Sequence, residues 1–150
     1  MSTEANKAMV RRMFEEAWNQ GDLGVVDELL ADDARDHHDP DVPSFPEHLK
    51  EMIVLFRRAF PDLHYTVEDM IAEGDRVACR VTLTGTHRGV FNGIPPTGRA
   101  IRVEQIHIVR TVDGKGRDHW AALEMLALLQ QLGAIPARGG AVPAGAGARG

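Results

Sequence analysis

One cysteine in 150 residues, Cys79, excludes an internal disulfide. Its place inside an apolar-alternating segment predicts a buried small hydrophobe. No Cys-x-x-Cys or similar zinc spacing occurs. No Gly-x-Ser-x-Gly elbow is present, which leaves a serine nucleophile without support. Neither a dinucleotide fingerprint nor a glycine-rich phosphate loop is found. No stretch approaches the ~18 apolar residues of a membrane span. The first twenty residues carry Glu4, Lys7, Arg11 and Arg12 and no apolar run of signal-peptide length, so a cytoplasmic location is the expectation. There is no basic cluster, and the net charge of -5 argues against a nucleic-acid partner.

What is present is ordinary for one globular domain: 43% hydrophobic and 26% charged residues. Residues Thr3 to Gln20 carry Val10, Met13, Phe14, Ala17 and Trp18 on one helical stripe. Asn19-Gln20-Gly21-Asp22 stops that helix, and Asp22 can cap a second, short one through Leu30. Ala31 to Pro40 reads as a loop or an irregular strand. Ser44 and Pro46 open a third helix that Pro61 closes, with Leu49, Met52, Ile53, Phe56 and Phe60 on its apolar face.

After Pro61 the period becomes two. Strands are predicted at Leu63 to Ala72, Arg76 to Thr86, Ala100 to Val112 and Gly116 to Ala121. Turns fall at Glu73-Gly74-Asp75 and Asp113-Gly114, with a loop over Gly89 to Gly98. A helical segment from Leu123 ends at Gly133. The Gly-, Ala-, Pro- and Arg-rich residues 137–150 are expected to be disordered, which leaves residues 1–136 as the domain. Helices first and an antiparallel meander afterwards predict an α+β fold, with helices packed on one face of a curved sheet.

Alternation puts Val103, Gln105, His107 and Val109 on one side of the long strand. Arg117, His119 and Ala121 share one side of the last strand, and Asp118 and Trp120 share the other. The Asp113-Gly114 turn makes these two strands a hairpin, so His119 should lie near His107 or Gln105. Two neutral imidazoles in a partly apolar hollow can act as base and acid near neutral pH. In the run Asp36-His37-His38-Asp39, His38 would complete a histidine cluster if its ring turned inward. Three histidines can bind a metal, but no His-x-x-x-His or carboxylate pairing on one element supports that, and no metal is expected.

Several motifs in order resemble one family. They are Trp18-Asn19-Gln20-Gly21-Asp22, His38-Asp39-Pro40, Gly85-Thr86-His87-Arg88-Gly89, Gly93-Ile94-Pro95-Pro96-Thr97-Gly98, Glu104-Gln105-Ile106-His107, Asp113-Gly114-Lys115 with Asp118-His119-Trp120, and Leu129-Gln130-Gln131-Leu132-Gly133. Together they are similar to the SnoaL-like polyketide cyclases, or ester cyclases, of the nuclear transport factor 2-like superfamily. The resemblance implies a cone formed by a curved sheet and three N-terminal helices, a deep pocket, and a homodimer. It also implies ring closure by intramolecular aldol condensation of an aromatic polyketide ester, with no cofactor. The pocket residues it implies are Gln105, His107 and His119. The family's acid/base aspartate falls two residues beyond that last histidine, where this chain has Ala121.

Three readings follow. In the first, an enzyme uses His107 or His119 as base on a hydrophobic, carbonyl-bearing small molecule. Gln105 would hydrogen-bond the enolate, and His38 and Trp120 would frame the substrate. In the second, which Ala121 favours, the protein binds such a molecule without transforming it. In the third, it is an interaction module dimerising through Ile106 and Ile108.

Overall fold

The computed structural model describes residues 2–136; the tail expected to be disordered, 137–150, lies outside the described residues. Helix α1 (Thr3–Arg12) starts where the Ser2 hydroxyl accepts the Ala5 N–H at 3.0 Å. The single helix expected to Gln20 changes pitch instead. Met13–Trp18 is π-helical, a widening common next to functional sites. It buries Phe14, Ala17 and Trp18. Asp22 caps α2 (Leu23–Leu29) through the Gly24 N–H, and the Ser44 hydroxyl caps α3 (Phe45–Ala59), with Pro46 in its first turn.

The segment left open between loop and strand is a strand, β1 (Leu30–Asp36). It is followed by β2 (His64–Glu73), β3 (Arg76–Thr86), β4 (Ala100–Val112) and β5 (Lys115–Leu123), then α4 (Met125–Leu132). The sheet order is β1-β5-β4-β3-β2. Strands β2 to β5 form the expected antiparallel meander, and β1 adds to its edge in parallel to β5, bringing Asp36 level with His119. Strand β5 runs two residues further than expected, so Leu123 pairs with Gln105 rather than opening α4. Asp113 and Gly114 both have positive φ, 52° and 80°, the two-residue turn that matches the twist of a hairpin.

On the inner face, Val77, Val81 and Leu83 are fully buried, together with Cys79 and Val103. Each such side chain contributes about 1.5–3 kcal/mol of apolar burial. Burial pushes the Cys79 thiol up to about 11, which leaves it a hydrophobe rather than a nucleophile. Helices α1 and α3 cover this face, and two motif segments anchor them. The Asn19 amide donates to the Tyr65 carbonyl at 2.9 Å and accepts the Tyr65 N–H at 2.7 Å, tying the end of the first helix to β2. His87 is buried, its Nδ1 held by the Thr97 N–H, and it folds the loop before β4 over Phe60. Arg88 and Gly89 then donate their N–H groups to the Ala59 carbonyl at the end of α3. No helix among the described residues is long and apolar enough to cross a membrane.

That last contact leaves no room for a side chain. A Cβ on Gly89 would stand 2.3 Å from the Arg58 carbonyl oxygen, which is backbone and cannot swing away. Gly89→Ala is therefore expected to lower unfolding free energy by about 1–3 kcal/mol in urea titrations, the range of overpacked sites.

Candidate active site

Between the inner sheet face and the helices lies a cavity of about 250 Å³. This is a little under the usual small-molecule site of roughly 300–1,000 Å³. Its walls are apolar: Met9, Met13, Phe14 and Trp18 from the first helix, Phe45, Leu49, Met52 and Phe56 from α3, and Tyr65 from β2. Its floor is polar. Four side chains from three strands form one hydrogen-bonded row there.

Asp36 Oδ1 lies 2.8 Å from His119 Nδ1. His119 Nε2 lies 2.9 Å from His107 Nδ1, and His107 Nε2 lies 2.8 Å from Gln105 Oε1. Strand geometry produces the row. Gln105 and His107 are two apart on β4, His119 sits on the neighbouring strand, and the parallel β1 carries Asp36 alongside His119. The backbone seals that junction, because the His37 N–H donates to the His119 carbonyl at 2.7 Å. Phe45 stacks on the His119 ring at 5.2 Å, and Phe14 meets His107 edge-on at 5.3 Å. These contacts lock both imidazoles in place.

The electrostatics follow from burial and from this pairing. The Asp36 side chain is 8% exposed. Burial alone would raise its pKa, but the hydrogen bond and charge of His119, with the His38 N–H, outweigh that and hold it below the ordinary carboxylate range. His107 faces the cavity among aromatic rings. Desolvation, then the neighbouring His119, push its pKa down to about 3, so its ring is neutral at physiological pH. Burial also raises the Tyr65 phenol, which stands within hydrogen-bonding reach of Gln105.

Every ring nitrogen of the pair is therefore engaged, and the row admits two proton orders. With both rings neutral, His119 donates from Nδ1 to Asp36 and His107 donates from Nδ1 to His119, which leaves His107 Nε2 unprotonated and open to a proton once the Gln105 oxygen moves aside. With one proton more, His119 is an imidazolium against Asp36, and His107 donates from Nε2 to the Gln105 oxygen.

The sequence candidates divide accordingly. Gln105, His107 and His119 converge on the cavity floor. His38 is exposed at the rim, near Asp39 and His48, and is not part of the histidine row. Trp120 requires a correction: it does not frame the cavity. Strand alternation turns it to the outer face, where it stacks on His37 at 4.7 Å with the Arg76 guanidinium 5.0 Å from its ring centroid. Asp118 pairs with His37 and Arg110 on that outer face. Among the described residues, no group of three or more His, Cys, Asp or Glu could hold a metal ion.

Asp36, Tyr65 and the aromatic clamps Phe14 and Phe45 complete the site without a sequence motif that marks them. The signal for Asp36 was a parity: read as a strand, Ala34 and Asp36 fall on one face, and Ala34 is buried.

A small α+β chain with an apolar cavity floored by acid/base side chains is a small-molecule protein in class. Its sequence matches the model for SnoaL-like polyketide cyclases over residues 8–132. It is 35% identical over 138 residues to the aklanonic acid methyl ester cyclase DnrD of Streptomyces peucetius, covering 89% of this chain and 92% of that one. It is 34% identical over 122 residues to the nogalonic acid methyl ester cyclase of Streptomyces nogalater, covering 78% and 90%. Among solved structures, AclR of Streptomyces galilaeus, a hydroxylase candidate, superposes with a TM-score of 0.81 at 34% identity, covering 95% of this chain and 87% of that one. The chain belongs to the SnoaL-like polyketide cyclase family.

The His107 environment predicts how stability depends on pH. An unfolded histidine takes up its proton near 6.5, whereas folded His107 does so only near 3. Between those values the unfolded state binds more protons, so stability falls as pH falls from neutral. Asp36, held low, is ionised in both states above about pH 5 and does not offset this. Urea unfolding should lose on the order of 1 kcal/mol between pH 7 and pH 5, and His107→Gln should remove most of that slope.

Proposed function

We propose that the chain is a cyclase-type enzyme acting by acid/base chemistry, without a cofactor, on a hydrophobic, carbonyl-bearing small molecule of the aromatic polyketide type. The observation that carries this is the imidazole pair, His107 and His119 at 2.9 Å, at the floor of an apolar cavity. A carbon between two carbonyls is acidic enough for a neutral imidazole to deprotonate. His107 is the base, through Nε2, and the arriving substrate takes the place of the Gln105 oxygen there. The freed Gln105 amide and the Tyr65 hydroxyl can then donate to the enolate oxygen. The enolate carbon attacks a second carbonyl, a carbon–carbon bond closes the ring, and the alkoxide takes back the proton. His38 and His48 at the rim meet the polar end of the substrate.

The second reading, a binder that leaves its ligand unchanged, has two observations in its favour. Ala121 faces the cavity where the family resemblance calls for an acidic residue, and no imidazole nitrogen is free in the resting row. Turnover separates the two. With aklanonic acid methyl ester as probe, a cyclase forms the ring-closed product. His107→Ala and His119→Ala should each cut kcat by about 10²–10⁴-fold, the share of a general acid/base, with binding retained within a few fold. Recovery of intact ester after long incubation, with binding lost in both variants, supports the binder instead.

A homodimer and a cytoplasmic location belong to the same reading. The outer sheet face carries exposed Ile71 and Ile106, apolar surface suited to a second copy. Light scattering should give twice the chain mass for the parent and the single-chain mass for Ile106→Glu.

A further inference from the structure

We propose that Asp36 is a positioning residue that turns His107 and His119 into a single base, by holding the His119 proton on Nδ1 so that a proton received at His107 can move on to His119. This rests on the acid/base reading above. It answers a difficulty within that reading: the nitrogen that faces substrate belongs to the ring least able to carry charge.

His107 is enclosed by Phe14 and the sheet, with no carboxylate touching it. An imidazolium there is poorly solvated. His119 is one hydrogen bond away and touches Asp36, a nearly buried carboxylate, at 2.8 Å. The cation belongs on His119.

The step balances within the row. A substrate C–H bond breaks and leaves its electron pair as the enolate. The proton bonds to His107 Nε2, the His107 Nδ1–H bond breaks, and that proton bonds to His119 Nε2. His119 is then an imidazolium donating from Nδ1 to Asp36, and His107 is neutral again. Reversal of the same shifts returns the proton to the alkoxide at the end of ring closure. The move requires a bare His119 Nε2 at the start, and Asp36 ensures this by accepting from Nδ1. A His119 carrying its proton on Nε2 would meet His107 with nothing to accept.

Other groups facing the pair do not substitute for Asp36. His38, on the turn after β1, donates its backbone N–H to the same carboxylate oxygen, and its exposed ring makes no hydrogen bond to the row. Strand β2 presents the neutral Tyr65, α1 and its π-helical turn present Met9, Met13 and Phe14, and His48 of α3 and Asp39 stand at the rim.

The test begins without substrate. Nitrogen NMR of the full chain with ¹⁵N-labelled histidine at pH 8 should find His119 protonated on Nδ1. Asp36→Leu, which offers no acceptor, should move the tautomer ratio at least about tenfold toward Nε2–H. Asp36→Asn keeps the shape and an acceptor but not the charge. With aklanonic acid methyl ester as probe it should lose about 10²-fold or more in kcat, with KM within about threefold. Asp36→Glu should recover at least a tenth of the parent rate. A parent His119 protonated on Nε2, a ratio unmoved in Asp36→Leu, or an Asp36→Asn rate within twofold of the parent overturns the proposal. If the parent leaves the ester intact, the cyclase reading fails for that substrate, while the tautomer measurement still decides the role of Asp36.

Discussion

The parallel pairing of β1 against β5 is the contact on which the site depends. Among the described strands it is the parallel pairing, outside the meander, and it sets Asp36 beside His119. Without that register the cavity floor would hold two imidazoles and an amide with no anion, a row of neutral groups with no preferred proton order. With it, one end of the row is charged and every link has a direction. The strand itself is poorly suited to a sheet interior, with three aspartates and an arginine in seven residues. It can sit only at an edge, where Asp32, Asp33 and Arg35 reach water and a charged edge resists pairing with another chain. The edge position and the buried carboxylate are two results of one placement.

The apolar walls matter because they raise the stakes of that order. In a medium of low effective dielectric, a hydrogen bond to an ionised group is stronger and an unpaired polar group more costly than in water. Phe14, Phe45 and Trp18 keep water from screening the row, so Asp36 acts on His119 at nearly full strength while His107 loses its ordinary basicity. Burial thereby lowers the basicity of His107, while His119 keeps a carboxylate partner. Such division of titratable neighbours by environment is how acid and base roles are assigned at one pH. The π-helical turn contributes here too, because it buries Phe14 and Trp18 against the cavity from one short segment.

Much of this is legible in the residues, and what is not has separate physical causes. Period-two patterning and the Asp113-Gly114 turn located β2 to β5, and strand parity alone put Gln105, His107 and His119 on one face, as the register has them. What could not be read was anything set by pairing between distant segments. Ala31 to Pro40 stays open between loop and irregular strand because a charged edge strand and a charged loop have the same composition; only the neighbour β5 separates them. Asp36 is hidden for that reason, and the histidine that stands out in composition is His38, two residues on, whose ring is exposed at the rim. Trp120 was misplaced for a different reason: its neighbour His119 drew it into the site, although its own parity already pointed outward. The change of pitch at Met13 leaves no mark in a 3.6-residue stripe.

Family membership narrows the fold and the class of ligand more than the chemistry. The relatives named above are methyl ester cyclases and a superposable structure is a hydroxylase candidate, so one fold supports more than one outcome. In this chain position 121 is alanine and faces His107 directly across the β4–β5 pairing. A carboxylate at that position would bear on His107 itself and favour charge there. Here burial keeps His107 neutral, and among the described residues the carboxylate in the row, Asp36, lies on the far side of His119. On the reading proposed above, a base of this kind is weaker at the point of contact but relayed, which suits a carbon acid already activated by two carbonyls better than an unactivated one. The methyl group of Ala121 also leaves the space over His107 apolar, so a flat, hydrophobic ring system can approach the imidazole edge that Gln105 now occupies.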